Sequence, residues 1–503
     1  MNEDKNISEI KIGNQKIIDN SELSIWEALI PVIALVGMLA YNVFFVFGDD
    51  ALSGSNQFIL LLGAAVAAMV GFKNKISYKR MLEEVAENVK STTGALLILL
   101  MVGALAGTWL ISGIIPTMIY YGLQILNPTI FLAACVVICS IISIATGSSW
   151  TTSATVGIAL VGIGETLGIS TGMTAGAVLS GAYFGDKMSP LSDTTNLAPA
   201  MAGGELFSHI KYMTLTTIPT IVITLIIFVI IGLNIETNGT PMIQDKLDAI
   251  NEAFNISPWL FVVPIFVVAM IIKETPPLIA LLGGALLGGV TAIIAQPEIV
   301  MKVAGADTLN FKSAYEGVMN ALTVETAVVT ASNELNDLFT AGGMKGMLDT
   351  IWLVICAMVF GGVMDAIGAL SRITKSLLSL ATSTFGLFAS TVASCLALNL
   401  TASDQYLALV IPGKMFKKAY QDRGLAPENL SRTLEDSGTV TSVLIPWNTC
   451  GAYHSKVLFG YAGATAYIPY AFFSIISPFM TLLFAGFNIK IKQIKGEFDT
   501  TIS

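Results

Sequence analysis

Two short runs in this 503-residue chain hold most of its polar chemistry. The first reads Gly185-Asp-Lys-Met-Ser-Pro-Leu-Ser-Asp-Thr-Thr-Asn196, and the second Glu435-Asp-Ser-Gly-Thr-Val-Thr-Ser-Val-Leu-Ile-Pro-Trp-Asn-Thr449. Two polar knots interrupt long apolar stretches: Thr146-Gly-Ser-Ser-Trp-Thr-Thr152, and Asn399, Thr401, Ser403 and Asp404 within 399–404. Their common content is hard oxygen. Ser148, Thr151, Thr194, Asn196, Thr401, Ser403, Asn448 and Thr449 offer neutral oxygens, and Pro190 and Pro446 free nearby carbonyls by breaking helices. Asp186, Asp193 and Asp404 add carboxylates. Such oxygens suit a Na⁺ ion, whereas half-helix N-termini suit an anion. A carboxylate at the centre of a bilayer costs about 2.5–3.5 kcal/mol on insertion scales, so its charge needs a proton, a cation or a partner there. The competing role for all three acids is structural, as a helix cap or one half of an ion pair.

The elements that must position these residues follow from composition. A soluble globular protein has about 25% charged residues; here the share is 12%, with 54% hydrophobic residues and a mean hydropathy of +0.74. That deficit excludes a disordered chain, a nucleic-acid-binding domain and an ordinary cytosolic enzyme. It describes a polytopic protein whose surroundings are the lipid bilayer. Apolar runs long enough to cross are read at 26–47, 57–72, 93–111, 213–233, 258–272, 277–295, 348–371 and 463–487. Four more, at 128–164, 170–205, 383–413 and 434–459, are interrupted. None alternates with period two, so a membrane barrel is not expected. The first 25 residues are polar, no signal-peptide pattern precedes the first span, and this segment reads as a mobile tail.

Cations set the orientation. Lys73, Lys75, Lys79, Arg80 and Lys90 follow the second span, and the loop 48–56 before it has no Lys or Arg, so 73–92 and the N-terminus are read as cytoplasmic. If 383–413 crossed once, Lys414, Lys417, Lys418, Arg423 and Arg432 would face outward. A re-entrant hairpin with its tip at 399–404 keeps them inside. By the same logic 128–164 is a hairpin entering from outside with its tip at 146–151. Most of the 26 cations then lie inside.

An internal repeat gives the same layout. A shift of 255 residues places Gly107 on Gly362, Gly113 on Gly368, Thr146 on Thr401 and Ser148 on Ser403, and a shift of 253 places Gly185 on Gly438. Each half runs as span, polar-tipped hairpin and interrupted helix, and the two start on opposite sides. Repeats of opposite orientation with broken helices place a binding site where the breaks meet. The fold class expected is therefore an all-α polytopic membrane protein with two inverted repeats, each holding a re-entrant hairpin and a broken helix. Its parts are a cytoplasmic tail at 1–25, N-terminal helices at 26–92, a first transport repeat at 93–233, connecting helices with an extracellular segment at 234–347, a second repeat at 348–487 and a cytoplasmic tail at 488–503.

The remaining polar residues carry weaker signals. Lys187 neighbours Asp186, but adjacent residues on a helix face different ways, so that pair is not secure. Glu435 and Asp436 read as interfacial, Asp365 as structural and near Arg372, and His209 and His454 as surface or capping residues near membrane ends. No arginine is expected at membrane depth. Cys135, Cys139, Cys356, Cys395 and Cys450 lie in apolar surroundings without CxxC spacing and read as packing residues. Gly283, Gly284, Gly288 and Gly289 read as a helix-packing surface. No GxxxxGK[ST] loop is present, no ATP-hydrolysing module is visible, and neither enzymatic activity nor a bound cofactor is expected.

Taken together, Thr146-Gly-Ser-Ser-Trp-Thr-Thr, the 185–196 run, Leu434-Glu-Asp-Ser-Gly-Thr and Ile445-Pro-Trp-Asn-Thr-Cys-Gly resemble the NhaC family of Na⁺/H⁺ antiporters, over roughly residues 25 to 490. The resemblance implies a multi-pass protein of a bacterial or archaeal plasma membrane that exchanges Na⁺ for H⁺, and it allows a homodimer with an elevator-like motion. Some relatives exchange malate and lactate or carry amino acids. The expectation is an antiporter expelling Na⁺, or Li⁺, against inward protons. Na⁺ would be held at Asp186, Asp193, Asn196 and Asp404 with help from the neutral oxygens above. The alternative is a Na⁺- or H⁺-coupled carrier of a small organic acid or amino acid.

Overall fold

In a computed structural model, described over residues 7–12, 15–47, 54–125, 128–235, 240–273, 275–331, 333–459 and 465–494, the regular structure is almost entirely helical. Three helices open it: α1 (Ile25–Tyr41), α2 (Ser55–Lys73) and α3 (Tyr78–Ser91). The first half follows as α4 (Thr93–Ile111), α5 (Ile114–Ile125), α6 (Pro128–Thr146), α7 (Ser149–Thr152), α8 (Ile158–Thr166), α9 (Thr171–Met188), α10 (Asp193–Ala202) and α11 (Leu206–Asn234). Connecting helices are α12 (Thr240–Ala253), α13 (Val262–Ile272), α14 (Pro277–Ala295), α15 (Pro297–Ala304), α16 (Phe311–Thr323) and α17 (Asn333–Leu338). The second half comprises α18 (Leu348–Ala366), α19 (Ala369–Ser379), α20 (Thr384–Thr401), α21 (Gln405–Asp422), α22 (Pro427–Leu434), α23 (Thr449–Phe459) and α24 (Phe472–Gly486). A π-helical turn at Glu435–Thr439 extends α22. Among the described residues eight helices are long and apolar enough to cross a membrane, or nine if the bent pair Gln244–Ala253 and Pro258–Ile271 is one span.

Both interrupted regions read as hairpins do reverse direction. On α9, Gly181 meets Val136 and Cys139 of α6, and one turn later Gly185 meets Ser140 and Ser143. Contacts that advance together mean parallel helices. Gly164 and Gly157 of the following leg meet Thr174 and Val178 of α9 in the opposite order, so α8 runs antiparallel to both. The turn falls at Gly147, whose φ is 68°. In the second half, Thr391 and Tyr420 hydroxyls lie 3.2 Å apart, and Arg423 donates to Ser383 O at 2.8 Å. α20 and α21 are therefore antiparallel about Ser403, where φ is 59°.

Left-handed residues recur in the backbone at the offset of the sequence repeat. Gly113 and Gly368 both have φ of 77°, Gly147 and Ser403 have 68° and 59°, and Gly168 and Gly424 have 77° and 70°. Each pair is offset by 255 or 256 positions. Left-handed residues end helices and redirect the chain, so the two halves share one succession of breaks. Other helices brace each half: α14 packs on α4, where Trp109 Nε1 donates to Gly284 O at 3.2 Å. Gly284 and Gly288 face Leu105 and Thr108 there, the packing role read for this glycine cluster. On α18, Gly362 lies against the backbone of Val85 in α3.

Several boundaries differ from the sequence reading. The run 348–371 is no single span: α18 ends at Ala366 and Gly368 starts a new direction, a turn hidden by continuous apolar composition. The run 463–487 becomes a short 3₁₀ turn, Ile468–Tyr470, followed by α24, and residues 460–464 lie outside the described residues. α11 begins at Leu206, before the expected 213. The N-terminal segment read as mobile forms a hairpin of β1 (Ile7–Ile12) and β2 (Gln15–Asn20). It docks through Asn20 Nδ2 donating to Ile367 O at 3.2 Å and a Lys375–Asp19 ion pair. Residues 1–6 and 13–14 of that segment, and 495–503 of the C-terminal tail, lie outside the described residues. All five cysteines are buried thiols within helices, as packing requires.

Candidate functional site

The breaks of both halves meet at one cavity of about 430 Å³. Thr146, Ser148 and Trp150 of the first tip line it, as do Asp404, Gln405 and Tyr406 of the second. The α9–α10 break adds Asp186, Ser192, Asp193 and Thr194, and Thr449 opens α23 beside them.

Asp186 is fixed by the first tip. Its Oδ2 accepts from the backbone N–H of Ser149 at 3.0 Å and from Ser149 Oγ at 2.7 Å. Close approach of α6 and α9 makes this geometry: a Cβ on Gly181 would stand 2.3 Å from Val136 O, and one on Gly185 2.6 Å from Ser140 O. Ser148 caps α7, its Oγ accepting from Thr151 N–H and Thr151 Oγ1, both at 3.2 Å. Trp150 stacks on Tyr453 with centroids 4.0 Å apart, and Tyr453 Oη donates to Trp150 O at 2.9 Å.

Asp404 caps α21, its Oδ1 accepting from Tyr406 N–H at 2.7 Å and Leu407 N–H at 3.0 Å. The capping role weighed from sequence is thus present, and the carboxylate also lines the cavity. Ser403 keeps its left-handed backbone because its carbonyl accepts from Thr449 N–H at 3.0 Å and Asp404 starts the next helix. Asn448 Nδ2 donates to Asn399 O at 3.2 Å, and Trp447 Nε1 donates to Leu400 O at 2.9 Å. These contacts lash the second tip to the second broken run.

Of the sequence-derived set, Asp186, Asp193, Asp404, Ser148, Thr194 and Thr449 line the cavity. Five do not. Thr151 serves Ser148; Asn196 Nδ2 donates to Pro190 O and Ser192 O, both at 2.8 Å; Thr401 Oγ1 donates to Ala397 O at 2.8 Å. Ser403 Oγ is buried without a hydrogen-bond partner, and Asn448 serves the tip. Sequence reasoning missed Trp150, Gln405 and Tyr406, each within two positions of a named residue. It also missed Thr92 and Thr275, which line the cavity from short linkers with no pattern around them.

One of the weaker readings holds, that of Lys187, and three are corrected. Lys187 points away from Asp186 and pairs with Asp436, and both are fully buried; Glu435 and Asp436 are core residues, not interfacial ones. His209 and His454 are fully buried, His209 Nδ1 lying 2.8 Å from Ser431 Oγ. Arg432 is buried too, its guanidinium 4.7 Å from the Tyr212 ring and 5.7 Å from that of Phe484. Cation–π contact and a long aliphatic stem offset part of its desolvation.

The chemistry of the cavity follows from its lining. Three carboxylates share it with hydroxyls, and among the described residues no Lys or Arg lines it. At an effective dielectric of about 20, a unit charge 4 Å from one carboxylate is stabilised or penalised by about 4 kcal/mol. In their ionised form these carboxylates draw cations in and repel anions.

A sequence profile described as the Na⁺/H⁺ antiporter family matches residues 181–489. The Na⁺/H⁺ antiporter NhaC of Alkalihalophilus pseudofirmus is 37% identical over 86% of this chain and 90% of its own. NhaC of Bacillus subtilis is 34% identical over 84% and 90%. A malate-2H⁺/Na⁺-lactate antiporter of Bacillus subtilis is also 34% identical, over 85% and 88%.

Proposed function

Because this chain belongs to the Na⁺/H⁺ antiporter family, we propose that it expels Na⁺ from a bacterial or archaeal cell in exchange for inward protons, with Asp186 as the exchanging carboxylate. The observation that supports this most is a cavity with three acids and, among the described residues, no lining base, where the backbone breaks of both halves converge. Ionised, Asp186 and Asp404 hold a dehydrated Na⁺ with hydroxyl oxygens of Ser148, Thr194 and Thr449. Asp193, exposed at the mouth, collects the cation. A proton on Asp186 removes the charge that holds Na⁺, so the two ions compete for this site and exchange follows. Inverted halves would let the cavity open alternately to each side.

The lining also supports this reading over carriage of an organic acid, since among the described residues a carboxylate substrate would meet three carboxyl groups and no guanidinium or ammonium. The test is a proteoliposome with an imposed Na⁺ gradient. Proton movement with Na⁺ as the only added solute is the expected result. Movement that appears only when malate, lactate or an amino acid is added would overturn it.

Asp404 permits a sharper check, because capping and charge can be separated there. Asn caps as well as Asp, so Asp404→Asn should fold like the wild type while its half-saturating Na⁺ concentration rises at least tenfold. Asp404→Ala should also lose about 0.5–2 kcal/mol of stability with the cap. Equal Na⁺ affinity in Asp404→Asn and wild type, by flux titration, would confine Asp404 to capping.

A further inference from the structure

A second polar centre lies behind the cavity, between α9, α11, α24 and the π-helical turn at Glu435–Thr439. Its paired part is complete. Lys187 Nζ donates to Asp436, whose carboxylate also accepts from Thr216 Oγ1 at 2.9 Å and Ser477 Oγ at 3.2 Å. Glu435, one residue earlier, is not. It is fully buried, and neither carboxylate oxygen has a hydrogen-bond partner. The Thr439 hydroxyl on the same turn is likewise buried; it lies beside Glu435 without closing a regular hydrogen bond. The π-helical geometry inserts an extra residue into the turn and recurs at functional sites. α20 holds the turn in place, Asn399 Nδ2 donating to Gly438 O at 2.7 Å and to Thr441 Oγ1 at 3.0 Å.

A buried carboxylate without donors is too costly to stand as a bare charge. The groups near enough to act on Glu435 are Lys187 and Asp186 of α9, Asp436 and Thr439 of its own turn and Cys395 of α20. α21 brings Leu409 against Gly438, α24 brings Ser477 to Asp436, and Arg432 of α22 is turned to its aromatic rings. One ammonium therefore answers to more than one acid, and it is already committed to Asp436. The centre is short of one positive charge, and a proton supplies it without needing space.

We propose that Glu435 is a second carrier of the exchanged proton, an inference that rests on the antiport reading and assigns part of its coupling to a separate site. Ionised Asp186 favours the proton on Glu435 through its field. Na⁺ arriving at Asp186 cancels that field and favours proton release, and by reciprocity a deprotonated Glu435 favours Na⁺ at Asp186. The proton leaves for water, and the carboxylate left behind is covered by Lys187, whose three N–H donors can serve both acids. Residues 186 and 187 thus link the two sites through adjacent positions on α9.

The test is proton release when Na⁺ is added to the purified protein in weakly buffered detergent and lipid. Wild type should release protons. Glu435→Gln, nearly isosteric, should release about half as many, and its Na⁺-driven proton flux in vesicles should fall at least tenfold. Glu435→Asp should restore flux with a displaced pH profile, which a packing role would leave in place. Release and pH profile in Glu435→Gln equal to wild type overturn the proposal. If Glu435→Gln does not fold by size exclusion, an undisplaced pH profile in Glu435→Asp overturns it instead. A wild type that releases no protons on Na⁺ addition removes the antiport reading and this inference together, an outcome distinct from a releasing wild type matched by Glu435→Gln.

Discussion

Asp186→Asn is expected to reduce Na⁺-driven proton flux by a factor of about 10²–10³ while leaving the protein folded. The size follows from one unit charge in a partly dehydrated cavity. At about 4 Å and an effective dielectric of about 20, that charge contributes up to about 4 kcal/mol to holding a cation, and each 1.4 kcal/mol is tenfold. Folding should survive because an Asn carbonyl at the Oδ2 position can accept from Ser149 N–H and Oγ as the carboxylate does at 3.0 and 2.7 Å. The variant therefore removes charge and spares geometry. In wild type the half-saturating Na⁺ concentration should rise as pH falls, because proton and Na⁺ claim the same oxygen. Whatever flux remains in Asp186→Asn should lose most of that dependence. Flux titrations at several pH values decide the matter, and wild-type exchange in Asp186→Asn would remove Asp186 from its assigned role.

What made Asp186 legible was its surroundings. Polar residues with Gly and Pro inside an apolar chain cannot sit against lipid, so the four knots announced a shared centre before any fold was known. The structure brings residues of all four to one cavity or to its immediate support. The tips were equally readable, because a cation cluster after 413 forbade a single crossing, and the chain does reverse at Ser403. The partners of single charges were not readable. Lys187 and Asp436 are 249 positions apart; nothing local to either names the other, although the helix geometry that turns Lys187 away from Asp186 was already in the sequence. Arg432 was grouped with surface cations by type, yet rings of Tyr212 and Phe484 cover it. The N-terminal hairpin was masked by its polarity, since the alternation of Ile10 and Ile12 before Gly13-Asn14 is short and its docking surface is set by Gly368 far along the chain.

Lys187→Met is expected to have the largest effect on stability. It leaves Asp436 buried beside hydroxyls but without its counter-ion, and loss of one partner of a buried pair costs about 3–5 kcal/mol. That is a large share of a typical folding free energy of about 5–15 kcal/mol. Most of the variant should therefore be lost as aggregate in size-exclusion profiles of detergent extracts. The double variant Lys187→Met with Asp436→Asn should recover most of the folded protein. Replacing both charges by neutral groups is often close to neutral, and an Asn at 436 can accept from Thr216 at its carbonyl and donate its amide to the Ser477 hydroxyl, at the contacts seen at 2.9 and 3.2 Å. The double-mutant cycle isolates the coupling, because each single change strands a charge and the double change strands none. Position matters as much as energy here. The pair ties the end of α9, one residue beyond Asp186, to the broken helix of the second half, so it holds Asp186 in register with the second tip. A Lys187→Met variant as abundant and monodisperse as wild type would show that Asp436 is neutral in the folded protein and that the register is held by the packing of α6 on α9 alone.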